Sequence, residues 1–249
     1  MPQFKATPPR KFTGPILQLS DYLDAVPSPP SKVYYEYKVQ GDWQMDGNDT
    51  VGDCTCACIA HMIMLATAHT GPMVVPTPGE VLAVYSAVTG YVPGDPSTDN
   101  GANIADVLNY WQNTGMTVGG VVHKIVAWAE IDASNLTEVK QALWLFGGVD
   151  LGIEVFQSMM DQTNAGQPWD NPTGNDLGGH SVPIFGYGSD GCTCVTWGAL
   201  QQMGWPCFQQ ICSQAFVVIT QDWINQLTGK DYSGFDLAQL QADLALLGV

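Results

Sequence analysis

The chain has 249 residues, 45% of them hydrophobic, enough for one large domain or two small ones with a sizeable core. Its 24 acidic and 8 basic residues leave a formal net charge of -16, which weighs against nucleic acid and anionic membranes as partners, because both call for a basic patch. No apolar run is long enough to span a bilayer and residues 1–11 lack the apolar stretch of a signal peptide, so a cytoplasmic location is the default, with the seven cysteines mostly free.

In chain order, residues 1–15 read as a proline-rich arm, 16–23 as a short helix and 33–39 as a strand. The polar, glycine-bearing stretch 48–53 then runs into an apolar helix over 54–69, with Asp53 or Thr55 as its N-cap. Cys54 falls at the start of that helix. Unpaired N–H groups and the positive end of the dipole favour an anion there, so the spacing predicts a thiol that ionises easily. Thr77 and Glu80 have capping-box spacing and open a helix with Val81, Val84, Tyr85 and Val88 on one face. A third helix covers 104–112, with Ile104, Val107, Leu108 and Trp111 on one face and Gly115 as its stop.

The pattern changes after Gly120. Residues 121–131 read as a strand and 136–146 as a helix capped by Asn135 or Thr137. A strand follows over 149–156, then a long polar loop over 157–178. Strands at 180–187, 192–197 and 215–220 come next, and Leu237, Leu240, Leu244 and Leu247 mark a packing helix at the end. Helices thus fill the first half and antiparallel strands the second. That is an α+β arrangement, with a helical lobe over 43–120, a β-rich lobe over 121–225 and a cleft where they meet. Residues 1–42 form a lead-in and 226–249 a C-terminal helix.

A second polar island, Gly178-Gly179-His180-Ser181-Val182-Pro183, places a histidine at the head of a strand after two glycines. The order, a cysteine on a helix N-terminus and then a histidine on a later strand, resembles the papain-like cysteine peptidase superfamily. Asn48 stands six residues before Cys54, where these enzymes carry the Gln or Asn of the oxyanion hole. Gly52-Asp53-Cys54 matches their approach to the nucleophile. The run from Gly179 through Val182 to Gly186-Tyr187-Gly188 is similar to their histidine strand, and Thr196-Trp197-Gly198 is similar to their Ser-Trp-Gly. The helix and strand over 139–153 resemble those that precede the histidine.

The resemblance covers residues 43–220. It implies a helical lobe whose Cys-bearing helix packs on an antiparallel sheet or half-barrel, no cofactor and no metal, and acyl transfer on a peptide or amide. Cys54 would be the nucleophile, His180 the base, and Asn48 an oxyanion donor. One position departs from the family pattern: Val195 stands where an Asn orients the histidine, and Thr196 is the nearest polar candidate. Trp197 would shield the histidine from water, and Gly179 and Trp169 would line the substrate cleft.

Four rival readings come from the same sequence. An inactive relative, with a structural or binding role, follows if the missing Asn abolishes catalysis. An assembly role for the arm and the C-terminal helix predicts homo-oligomers. A zinc site built from Cys54, Cys58 and His61 lacks the usual Cys-x-x-Cys spacing, and the loop from Asp95 to Asn103 lacks that of a calcium loop.

Overall fold

The computed structural model describes residues 17–18, 28–220 and Trp223. Its centre is an eight-stranded sheet on which one long helix lies. The strands are β1 (Leu17–Gln18), β2 (Val33–Tyr34), β5 (Ile125–Glu130), β6 (Val149–Phe156), β7 (Asp176–Tyr187), β8 (Gly191–Thr196), β9 (Ala199–Gly204) and β10 (Cys212–Thr220). Their order is β1-β5-β10-β6-β7-β8-β9, with β2 also pairing β7. All pairings are antiparallel except β1 with β5. The sheet does not close into a barrel among the described residues. A separate hairpin joins β3 (Met116–Val118) to β4 (Val121–His123).

The helices are α1 (Cys54–Thr70), α2 (Pro78–Thr89), α3 (Ile104–Asn113), α4 (Leu136–Phe146), α5 (Gln157–Asn164) and α6 (Trp205–Ile211). Each start has a local cause. At α2, Thr77 and Glu80 close the capping box in both directions, and Pro78 sits at the first helical position. At α3 and α4, Asn103 and Asn135 accept from the first-turn N–H groups.

Two apolar groups cover the two faces of the sheet. Ile184, Val182, Val217 and Ile219 pack toward α4 and α6, while Phe185, Phe216 and Val218 pack toward α1 and α3. Alternate residues of β7 and β10 therefore serve opposite cores, which is why both read as nearly continuous apolar runs. Helix α1 is enclosed by the sheet on one side and by α2 and α3 on the other, so residues 54–67 are all buried.

Several expectations change. Leu17 and Gln18 lie in a strand, not a helix, and the strand expected over 33–39 stops at Tyr34 and gives way to a 3-10 turn over Glu36–Lys38. The 121–131 strand breaks into β4 and β5. The loop expected over 157–178 contains α5, and β9 and α6 fill a segment for which no element was expected. The helix expected over 235–247 lies outside the described residues.

Candidate active site

Cys54 opens α1, just after a tightly wound loop. Gln44 and Asp46 both carry positive φ, 67° and 57°, and so does Gly47 at 98°. The loop is strapped from outside by Asp99, whose carboxylate accepts from Gly52 N and from the Tyr85 hydroxyl. Asp53 stands at the N-cap position, but its side chain does not cap the helix. Its Oδ1 accepts from Asn48 Nδ2 at 3.3 Å, and its backbone oxygen takes the N–H groups of Cys56 and Ala57. Asn48 is thereby fixed beside the start of α1.

His180 lies on β7, opposite Ile153 of β6. Cys54, His180, Asn48, Thr196, Trp197 and His61 wall one small cavity of about 220 Å³. Cys54 and His180 are each 3% exposed. His180 Nε2 is 2.9 Å from Thr196 Oγ1, and the Trp197 indole stacks on the imidazole at 5.0 Å and 14°. The stack depends on the turn that follows β8. Trp197 and Gly198 both have positive φ, 46° and 73°, as a two-residue hairpin loop requires. Val195, where the family pattern has Asn, is fully buried in the core group of Phe185 and Phe216.

The helix terminus does not make Cys54 acidic. Burial pushes the thiol up from 9.0 to about 12, against a smaller lowering by the Ser181 backbone N–H. At about 1.4 kcal/mol per pH unit that rise is roughly 4 kcal/mol, whereas a helix terminus contributes about 1 kcal/mol. Desolvation therefore wins. It also pushes His180 down to about 3. Buried as they are, the two groups are a neutral thiol and a neutral imidazole.

The fold has counterparts among known proteins. No family model and no curated protein sequence matches the chain. Solved structures do. It superposes on xylellain, a cysteine protease from Xylella fastidiosa, with a TM-score of 0.65 at 18% identity over 88% of this chain and 96% of that one. The Carica candamarcensis cysteine protease CMS1MS2 gives 0.57 at 13% identity over 77% and 99%. The ragweed pollen cysteine protease Amb a 11 gives 0.59 at 15% over 80% and 68%. The chain has the papain-like cysteine protease fold.

Within the papain-like frame the remaining residues sort by position. Gly179 faces a second cleft, about 330 Å³, on the other side of His180, with Glu154, Asn103, Ser213 and Gln214 on its walls. Trp169 lines neither cavity. It is fully buried, donates to Met159 O and Thr163 Oγ1, and meets the Trp197 ring edge-on at 6.1 Å. Its ring is a backing for Trp197, because α5 and β9 close over the segment expected to be an open loop. Among the described residues, no three His, Cys, Asp or Glu side chains are placed to hold a metal ion.

Two buried acids flank the candidate site. Asp46 Oδ2 lies 3.4 Å from His61 Nε2, which also meets Gln44 O at 3.2 Å. A carbonyl only accepts, so Nε2 carries the hydrogen. Burial holds His61 down at about 4 and Asp46 up at about 7, so the contact is no strong ion pair at neutral pH. Asp150, on β6, accepts from Ser181 Oγ at 2.8 Å and hydrogen-bonds the Cys58 thiol. Neither acid is visible as a motif. A carboxylate inside the apolar run 149–153 was the available sign for Asp150, since a charge in a doubly buried strand needs a reason.

Proposed function

We propose that the chain is a thiol hydrolase that cleaves a peptide or amide bond by acyl transfer. The observation that carries the reading is that Cys54 and His180 share one cavity, with Thr196 on His180 Nε2, in the papain-like fold. When Nε2 donates to the Thr196 hydroxyl, the lone pair is left on Nδ1, the tautomer a base facing the thiol needs. His180 then takes the Cys54 proton as the sulfur attacks the carbonyl, and returns it to the leaving amine. The neutral pair gains its charges as substrate fills the cavity.

The oxyanion is met by the Cys54 N–H and by Asn48. An amide nitrogen carries two hydrogens, and one of those on Asn48 is committed to Asp53. A donor of this kind contributes about 3–4 kcal/mol in comparable sites. Glu154 is a charged side chain on the neighbouring cleft, held above its ordinary pKa by burial and by Asp176. The charge of a cationic substrate side chain would offset both effects, so basic residues are the favoured occupants.

The test is the rate at which iodoacetamide labels Cys54, read by peptide mass spectrometry, beside cleavage of a mixed peptide library. We expect His180→Ala to slow labelling at least tenfold near neutral pH and Cys54→Ala to abolish cleavage. Equal labelling rates in the wild-type and His180→Ala proteins would remove the dyad. Normal labelling with no cleavage of any peptide would leave a reactive thiol on a binding protein.

A further inference from the structure

Beneath Cys54 the structure holds a carboxyl that the reaction above does not use. Asp150 is 2% exposed, on the central strand β6, where its neighbours Val149 and Leu151 are core. It faces α1 and β7 together. From β7, Ser181 Oγ donates to Asp150 Oδ1 at 2.8 Å. From α1, the Cys58 thiol, one helical turn beyond Cys54, hydrogen-bonds the same carboxyl. Ser181 has a second role, since its backbone N–H reaches the Cys54 sulfur. A continuous path thus runs from Asp150 through Ser181 to the nucleophile, and Ser181 directly follows His180.

We propose that Asp150 is a positioning residue, which holds Ser181 and Cys58 around the Cys54 sulfur and whose charge contributes to setting the pH at which that sulfur reacts. The inference rests on Cys54 being the reacting thiol and is independent of the substrate.

Two consequences of the geometry oppose each other. As a hydrogen-bond acceptor, Asp150 keeps the Ser181 N–H aimed at the sulfur, which favours a thiolate. As an anion, it adds to burial and to Asp53 in raising the Cys54 thiol, and the same field reaches Cys56, Cys58 and Cys212. The titratable groups its field reaches are those thiols of α1 and β10; Asp53, at the N-cap of α1, is a second carboxylate that raises the Cys54 thiol, and by more than Asp150 does. Burial lifts Asp150 to about 7. The carboxyl therefore changes charge near neutrality: above that pH it restrains ionisation of Cys54, and below it the restraint is released while the hydrogen bonds persist.

Acceptor and charge separate by substitution. Asp150→Asn keeps an oxygen for Ser181 and Cys58 and removes the charge; Asp150→Ala removes both. We expect the curve of Cys54 alkylation rate against pH to move to lower pH by about one unit in Asp150→Asn, the lower range for a neighbouring charge. In Asp150→Ala we expect the maximal rate to drop at least tenfold, with Asp150→Asn restoring most of it. An unmoved or upward-shifted curve in folded Asp150→Asn overturns the proposal, as does a wild-type rate in folded Asp150→Ala. If neither variant folds, Ser181→Ala decides. It cuts the path with a small change, and a maximal rate within twofold of wild type overturns the inference, while a tenfold loss at an unchanged melting temperature supports it. Peptide cleavage is measured alongside. Its absence with the expected alkylation shifts would defeat the hydrolase reading and leave the role of Asp150 standing.

Discussion

Thr196 gives His180 a neutral partner at 2.9 Å, where an amide is the family habit. A hydroxyl accepts from Nε2–H, yet it also rotates, so it fixes the ring less firmly than a planar amide. Thr196→Val keeps shape and removes the acceptor. Losing one partner of a buried hydrogen bond costs about 1–3 kcal/mol, so we expect kcat to fall at least tenfold with KM little changed, and Thr196→Ser to recover most of it. A kcat within twofold of wild type in Thr196→Val would mean the ring is oriented by something else. At this scale the sequence was informative in an uneven way. Cys54, His180 and Asn48 stand out because a polar residue beside glycines in an apolar neighbourhood is conspicuous. Asp150 and Asp46 do not, since their meaning arises only when β6 meets α1 and when the loop before α1 folds back on His61. The thiol's acidity was misjudged for a related reason: the helix end is local and visible, whereas the desolvation that outweighs it comes from the whole lobe packed around it.

At the scale of elements, the hairpin between β8 and β9 sets the roof of the site. Its turn residues Trp197 and Gly198 have positive φ, and a Cβ on Gly198 would stand 3.1 Å from the Gln44 carbonyl carbon and 3.2 Å from its oxygen. The turn is thus wedged against the strained loop that delivers Asn48. In Gly198→Ala the left-handed conformation costs about 1–2 kcal/mol, and the loop over 44–48 must yield by a few tenths of an ångström. We expect a lower melting temperature together with slower labelling of Cys54, because one displacement loosens both Trp197 over His180 and Asn48 beside Cys54. Unchanged labelling would show that the roof and the loop before Cys54 move independently. The long helices and the strands β6, β7 and β10 were legible from periodicity, caps and apolar runs. Helix α5 was not, because its sequence, Gln-Ser-Met-Met-Asp-Gln-Thr-Asn, is mostly polar and buries only Met159 fully, with Met160 packed partly against the core. It is held by tertiary contacts, Ser158 with Asn171 and Trp169 with Met159, which no local pattern announces.

For the whole molecule the buried titratable groups set a pH dependence of stability. Asp46, Asp53 and Asp150 are lifted from 3.8 to about 7, 8 and 7, and His61 and His180 are lowered from 6.5 to about 4 and 3. A raised carboxyl stabilises the fold in full below its unfolded pKa and loses that contribution as pH rises through the folded value. A lowered histidine does so above its unfolded pKa and loses it as pH falls toward the folded value. Between about pH 8 and 6.5 only the carboxyls act, so stability climbs on acidification. Between about 6.5 and 4 the folded chain holds three protons the unfolded chain lacks and forgoes two it would bind, a difference of one in the same direction. Titrating part of the net charge of -16 adds to the gain by easing self-repulsion. The melting temperature is expected to rise from about pH 8.5 to 6.5 and then flatten. A lower melting temperature at 6.5 than at 8.5 contradicts this assignment.

The neutral, enclosed state of Cys54 also bears on how the protein survives its surroundings. Peroxide oxidises the thiolate and scarcely touches the thiol. With its sulfur protonated behind Trp197 and Asn48, the idle protein should age slowly in air, keeping Cys54 from sulfenic acid over long storage. On the proposed hydrolase reading, damage would accumulate during turnover, in proportion to the work done, so that wear rather than shelf time would set the working life of the site.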